Sequence, residues 1–396
     1  MAQPILGILT LYLNNKGYLE ERSVYQKMTV LGKRLGLDIV VFTPEDVNER
    51  QHRIHAMIYD PSTKKWTRKW MGLPTMIFDR CRIQKSMRFE LLKRFRARYA
   101  GQLFLNRPMR NKWTVYRTLQ RESRFRSHLP TTQLYDSGKE LSEMLRKYPL
   151  LYLKPANGTG GRGILRIQRV DGGKLLIQGR AQNRHIIRPI RVTPASLSAH
   201  LGKWNLKSNR YLIQQGIQLK LENGRVHDYR MLVQKNGRGE WTVTGCAGRI
   251  GAPGSVTSNL HGGGRAAQME TLLRQWLGSD SRAARVKAQA EQFGVDVARH
   301  LEASYESLCE LALDLAIDKN GHIWLLEVNP KPAREVFAKS GDMETYRLAI
   351  VRPLEYALWL YKNRARRSKI RTGTGRDDLS LQDTRSETPE DSESLA

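Results

Sequence analysis

A mixed α/β (α+β) protein of two or three closely associated lobes is what this sequence predicts, and three observations carry the prediction. The chain opens as strand, helix, strand. Its second half holds short apolar segments separated by Gly and Asn, and its last residues lose apolar character altogether. At 396 residues there is chain enough for a sizeable core, because the buried share of the surface grows with length. Hydrophobic residues at 40% and charged residues at 27% are ordinary for a soluble globular chain and exclude wholesale disorder.

Residues 5–13 read as a buried strand, 20–35 as a helix stopped by Gly36, and 38–42 as a second strand ended by Pro44. Residues 53–59 and 65–70 flank Asp60-Pro61-Ser62-Thr63, a turn composition, and form a hairpin; 75–78 adds a short strand. Residues 1–105 are thus a small N-terminal α/β lobe. From Asn106 the pattern changes to helices over 111–122 and 139–147 and strands over 150–154 and 164–170. Segments 211–219, 229–234 and 241–247 follow as an antiparallel sheet, then a largely helical stretch over 270–309, a strand pair over 311–329 and a closing helix over 346–361. Beyond Lys362 the composition turns from Arg/Lys-rich to Ser/Thr/Asp/Glu-rich, so residues 363–396 are expected to be a disordered charged tail.

The formal net charge of +29 favours a polyanionic neighbour, such as an acidic polymer or nucleic acid, unless the cations are spread over solvated faces. No nucleic-acid motif accompanies it, which disfavours that partner. The apolar start has no cationic region before it, and no stretch approaches the roughly 18 to 20 apolar residues of a membrane span, so a cytoplasmic protein is expected. Cys81, Cys246 and Cys309 are too far apart for a zinc pattern or a disulfide framework and read as core thiols.

Gly158, Gly160, Gly161 and Gly163 follow a strand that ends in Lys154-Pro155. Glycines let backbone N–H groups approach a phosphate closely. Because 164–170 reads as a strand and not a helix, a dinucleotide-binding loop is excluded. The absence of Gly-Lys-Ser/Thr excludes a P-loop, and the absence of H-R-D and D-F-G excludes a protein kinase. What fits is a flexible phosphate lid, with Lys154 at its mouth placing a point charge on the phosphates.

The second signal is Asp314 and Glu327 on either side of Asn320-Gly321, the strongest short-range hairpin cue. With Asn320 and Gly321 as the turn, Lys319 pairs with His322 and Asp314 lies opposite Glu327. Asn329 shares their face, while Leu311, Leu313, Leu315, Trp324, Leu326 and Val328 face the core. Cross-strand carboxylates repel unless a cation lies between them. Oxygen ligands of this kind, completed by phosphates, suit Mg2+.

These separated motifs together resemble the ATP-grasp superfamily over roughly residues 106–360, and the YheC/YheD family of endospore coat-associated proteins over most of the chain. The resemblance implies an ATP-grasp fold over 106–362, with a lid lobe at about 112–210 and a metal and substrate lobe at about 211–362. It implies Lys112 and Lys154 as the ATP-phosphate lysines, and the four glycines as the lid. Gln214, Gln215 and Ile217 become the hinge that meets adenine, with Leu221 where an acidic ribose contact is usual. Arg230 and Arg249 would face an acyl phosphate, Asn259 would lie in a substrate loop that includes Gly262, Gly263 and Gly264, and Asp314, Glu327 and Asn329 would hold Mg2+. The implied activity is an ATP-dependent carboxylate–amine or carboxylate–thiol ligase. A binding protein that keeps ATP as a ligand or switch and associates with an acidic polymer or with spore coat proteins is the alternative.

Overall fold

The computed structural model describes residues 3–82, 86–109, 111–158, 160–183 and 185–373, the side chains of His261 and 365–373 excepted. The opening forms as β1 (Ile5–Leu9), α1 (Arg22–Leu35) and β2 (Asp38–Phe42), with β1 and β2 parallel and Gly36 ending the helix in the left-handed conformation. Strand β1 stops short of Leu13 because the chain turns back: Asn14 Oδ1 accepts from the Lys16 amide and Gly17 takes a positive φ. Next come β3 (Val47–Asn48), β4 (Arg53–Asp60), β5 (Lys65–Gly72), β6 (Met76–Asp79), α2 (Met87–Arg98) and β7 (Leu103–Phe104). The hairpin β4–β5 forms about the expected turn, where Asp60 Oδ1 accepts from the Ser62 amide. Together these strands make a seven-stranded sheet in the order β3-β4-β2-β1-β6-β7, with β5 beside β4.

The second unit runs α3 (Lys112–Arg121), α4 (Ser123–Arg126), β8 (Thr132–Leu134), α5 (Gly138–Lys147), β9 (Leu150–Pro155), β10 (Ile164–Arg169), β11 (Leu175–Arg180), β12 (Ile186–Val192), α6 (Leu197–Leu201) and β13 (Tyr211–Gln215). Its six-stranded antiparallel sheet has the order β12-β11-β10-β9-β13-β8. Tyr211–Gln215, expected alongside the strands that follow it, is hydrogen-bonded here instead, between β9 and β8.

The third unit contains β14 (His227–Lys235), β15 (Trp241–Ile250), β16 (Arg265–Gln268), α7 (Met269–Leu277), α8 (Asp280–Tyr305), β17 (Glu310–Ile317), β18 (Ile323–Asn329), α9 (Glu335–Lys339) and α10 (Met343–Gly373). Its five strands run β16-β15-β14-β17-β18. Strand alternation distributes β14 over two cores: Tyr229, Met231 and Val233 join α7 and α8, while Leu232 packs with α10 and with Leu6, Ile8 and Met28 of the first unit. The first and third units therefore share one apolar core. The closing helix reaches Gly373, so the tail expected from 363 is helical in its first residues, 363–373, and the rest of it, 374–396, lies outside the described residues. No helix among the described residues is long and apolar enough to cross a membrane.

The hairpin β17–β18 pairs Asp314 with Glu327, as the spacing predicts, but by another route. The turn has three residues, not two: Asp318 and His322 pair, Gly321 takes φ +80°, and Asp318 Oδ1 accepts from the Asn320 and His322 amides. That moves the register by one residue, and a bulge between Asp314 and Leu315 moves it back. Between the two shifts the facing of β18 is reversed. Ile323 and Leu325 are the core residues, whereas Trp324 bonds Asp318 and Leu326 is turned toward the cavity described below.

After β18 the chain is tied to the first unit. Asn106 Nδ2 donates to the Pro330 carbonyl at 2.8 Å, Arg80 to the Pro332 carbonyl at 2.9 Å, and Lys331 to the Asp79 carbonyl. Arg80 also binds Glu21 and Glu310, and Arg334 binds Glu310 at 2.6 Å; Arg334 and Glu310 are 0% exposed.

Candidate functional site

Lys154 lies one residue from the end of β9, an interior strand of the second sheet, and is only 8% exposed. Nζ donates to Gln214 Oε1 at 2.7 Å and to the Leu326 carbonyl at 3.1 Å. Burial pushes its pKa down to about 8, aided by Lys112 and opposed by Glu327 and Asp314. A lysine so desolvated gains from an anion brought against it. Lys112 opens α3 just after the N-cap Asn111, whose side chain accepts from the Thr114 amide; such a cap contributes about 1 kcal/mol and fixes where the helix begins. Its Nζ is 3.5 Å from Glu327 Oε2.

Strand β14 lies between β15 and β17, and that order assembles the acidic part of the site. Arg230 pairs with Asp314 through Nε at 2.5 Å and Nη2 at 3.1 Å. Arg249, on β15, holds Asp228 through two bonds of 2.7 and 2.6 Å and reaches Asp314 at 3.1 Å. Burial raises the Asp314 pKa, and Arg230 and Arg249 outweigh it, leaving the carboxyl below the usual range. The Arg249 guanidinium is held charged by Asp228 and Asp314 against its own burial. The expectation that Asp314 and Glu327 repel across the hairpin is therefore corrected: each faces its own cation.

The glycine loop joins β9 to β10, as a strand–loop–strand lid requires. Gly160, Gly161 and Gly163 have φ between +65° and +71°, a region that side-chain-bearing residues rarely adopt. A Cβ on Gly161 would lie 2.7 Å from Asn259 Oδ1, so the loop containing Asn259 rests directly on the glycine loop.

A cavity of about 160 Å³ lies where the second and third sheets meet. It is lined by Lys112, Lys154, Gly158, Gly160, Gly161, Gln214, Gln215, Ile217, Arg230, Arg249, Asn259, Asp314, Glu327 and Asn329. Gly163 stands outside it, where its lack of a side chain makes room for Gln182 and the Tyr211 hydroxyl. Gln214 donates to Thr132 while accepting from Lys154, and Gln215 accepts from the Thr131 amide, so both amides also pin β13 to the strands beside it. Leu221 is buried and Glu222 exposed, and neither lines the cavity.

The lining also includes Tyr152, Arg162, Ile164, Leu219 and Leu326, together with Val226, His227, Val256, Thr257 and Ser258, which sequence reading did not single out. Alternation along β9 and β10 from Lys154 and the glycine loop is the signal for Tyr152 and Ile164; for Leu326 the bulge concealed it. Among the described residues no cluster of three or more His, Cys, Asp or Glu could hold a metal. The expected set is smaller, two carboxylates and an amide, all hard oxygen donors; that suits Mg2+, which usually takes one or two protein carboxylates and completes its shell with phosphates and water.

A family model described as YheC/D like ATP-grasp matches residues 101–360. Endospore coat-associated protein YheD of Bacillus subtilis (strain 168) is 29% identical over 366 residues, covering 90% of this chain and 79% of its own. Endospore coat-associated protein YheC of the same organism is 26% identical over 342 residues, covering 85% and 91%. Among solved structures, the D-alanine-D-alanine ligase from Coxiella burnetii superposes with a TM-score of 0.50 at 9% identity, covering 94% of this chain and all of its own. ATP-grasp ligase PsnB, complexed with a minimal precursor, gives a TM-score of 0.50 at 13% identity over 88% and 99%. At such identities the likeness is one of fold.

Proposed function

Because the chain belongs to the YheC/D-like ATP-grasp family, we propose that it is an ATP-dependent carboxylate–amine or carboxylate–thiol ligase with its nucleotide between the second and third sheets. The observation that carries this reading is the convergence of Lys112, Lys154, the glycine loop, Arg230 and the Asp314–Glu327 pair on one cavity. Lys112 and Lys154 bind the triphosphate, the glycine loop covers it, and Gln214 to Ile217 meet the base. Asp314, Glu327 and Asn329 would hold Mg2+, which neutralises phosphate charge when bound. An oxygen of the substrate carboxylate attacks the γ-phosphorus, and the bond to the β–γ bridging oxygen breaks with its electron pair leaving on ADP. The amine or thiol then attacks the carbonyl carbon of the acyl phosphate, phosphate departs, and the nucleophile loses its proton. No protein nucleophile takes part; Arg230 and Arg249 balance charge, and Asn259 positions the lid, so the chain contributes orientation and electrostatics.

The test traps the acyl phosphate. With ATP, Mg2+, hydroxylamine and a panel of acids, the ligase forms a hydroxamate and ADP in equal amounts with some acids and not others. Nucleotide binding without acid-dependent ADP across the panel would sink the reading. It would leave the second one, a nucleotide-responsive protein of the endospore coat, which the names of YheD and YheC and the prior engagement of Asp314 by two arginines favour.

A further inference from the structure

Next to the nucleotide cavity, and sharing Gly160, Arg162, Arg230, Asn259 and Asn329 with it, is a groove of about 440 Å³. Its far wall comes from the first unit: Leu13 and Glu20 after β1, Cys81 and Arg82 after β6, and Phe89 and Arg96 of α2. The position has a topological reason. Strand β1 is flanked by β2, the next strand in the chain, on one side and by β6 on the other, all parallel. Connections therefore leave β1 and β6 in opposite directions and part at their carboxyl ends, where open parallel sheets bind ligands.

The chemistry of the lining is one-sided. Arg82, Arg96, Arg162, Arg230 and Lys331 face a single carboxylate, Glu20. Arg96 and Lys331 are held by Asp79, and Arg230 by Asp314. Arg162 is exposed and has no ion pair among the described residues, and Arg82, although paired with Glu20 and Glu21, keeps its side chain 31% exposed, so its open face can take a further carboxylate. Arg162 stands at the junction with the nucleotide cavity and Arg82 on the opposite wall. An apolar strip, Leu13, Phe89 and Met109, runs along the groove, and Leu13 is 53% exposed. A groove of this volume holds a ligand larger than one amino acid.

We infer that the substrate is a polycarboxylate, presenting the reacting carboxylate toward Arg162 and Arg230 and a second carboxylate to Arg82. This rests on the ligase reading above and names the acid that reading leaves open. A small multivalent acid and an acidic peptide share this chemistry.

Calorimetry on the full chain, without nucleotide and without metal, tests the groove separately from catalysis. The probes are triglutamate, its amide counterpart triglutamine, and tricarballylate. Triglutamate or tricarballylate binds at least tenfold more tightly than triglutamine; preference for the first marks a peptide, preference for the second a small acid. Arg82→Gln weakens the preferred acid by about tenfold, Arg82→Lys restores most of it, and ADP affinity is unchanged in both. Equal binding of triglutamine and both acids by the wild-type protein overturns the proposal, as does an Arg82→Gln variant that keeps full affinity. Failure of the ligase reading shows differently, as acid binding without acid-dependent ADP release.

Discussion

Two clusters of arginines and carboxylates lie along the third sheet, and they differ in access to solvent. In one, Arg80, Glu21, Glu310 and Arg334 neutralise each other, with Gln234 and the Pro332 and Ala349 carbonyls taking the remaining bonds. In the other, Arg230, Asp314, Arg249 and Asp228 are paired as tightly, but Arg230, Asp314 and their neighbours Lys112 and Glu327 line an open cavity. Pairing alone does not distinguish a staple from a site. What distinguishes them is whether an incoming ion can take over a partner.

The largest effect that sharpens this contrast is expected at Glu310. Glu310→Gln leaves Arg80 and Arg334 charged in a dry interior and destabilises the protein by roughly 3–5 kcal/mol, read from the urea midpoint. A loss below about 1 kcal/mol would mean that the cluster is wetter than the 0% exposure of Glu310 and Arg334. Asp314→Asn breaks the bidentate bond to Arg230 and the contact to Arg249, and costs about 1.5–3 kcal/mol without nucleotide; stabilisation by Mg-ATP is lost as well. An unchanged melting temperature in the nucleotide-free variant would show that the arginines find other partners.

Lys154→Met weakens ATP by roughly 10- to 100-fold at pH 7, the size of a lost charge-assisted bond. The sign with pH follows from its pKa of about 8. Below that value the folded protein carries a buried charge at a cost; between it and the unfolded value of about 10.4 the unfolded chain binds more protons, so stability rises with pH. Nucleotide affinity moves the other way, falling above about pH 8 as the ammonium is lost. Calorimetry across pH 6.5–9.5, a range of about three units around that value, checks it; a Lys154→Met variant with the wild-type slope would remove Lys154 from the phosphate. The smallest effect is Glu327→Gln, which changes nucleotide-free stability by about 1 kcal/mol or less because its pair with Lys112 is long and partly solvated.

Sequence alone showed the local parts of this comparison and not the pairings. The first β-α-β unit, the glycine loop and the Asp314–Glu327 register are set by neighbours along the chain. The register came out right because a three-residue turn and a bulge offset each other, and Trp324 and Leu326, lying between them, were assigned to the wrong face. Helix α2 has no clear sequence signal because its residues Arg88, Lys93, Arg94, Arg96 and Arg98 leave only a weak apolar stripe. The ion pair of Arg230 with Asp314 spans 84 residues and exists only because β14 pairs with β17, an order that no local pattern encodes. The pairing of β13 with β9 is set by strand order in the same way.

The anchoring of residues 330–334 on the first unit bears on how such a chain can be divided. A change in composition at residue 105 invites a cut there. Expressed separately, the C-terminal piece would present Glu310, Arg334 and the apolar faces of Leu232 and Ile350 to water, and the N-terminal piece would expose Leu6, Ile8 and Met28. Neither fragment is a module that could be exchanged between proteins. A swap that preserves the fold has to carry the first sheet, residues 330–334 and α10 together.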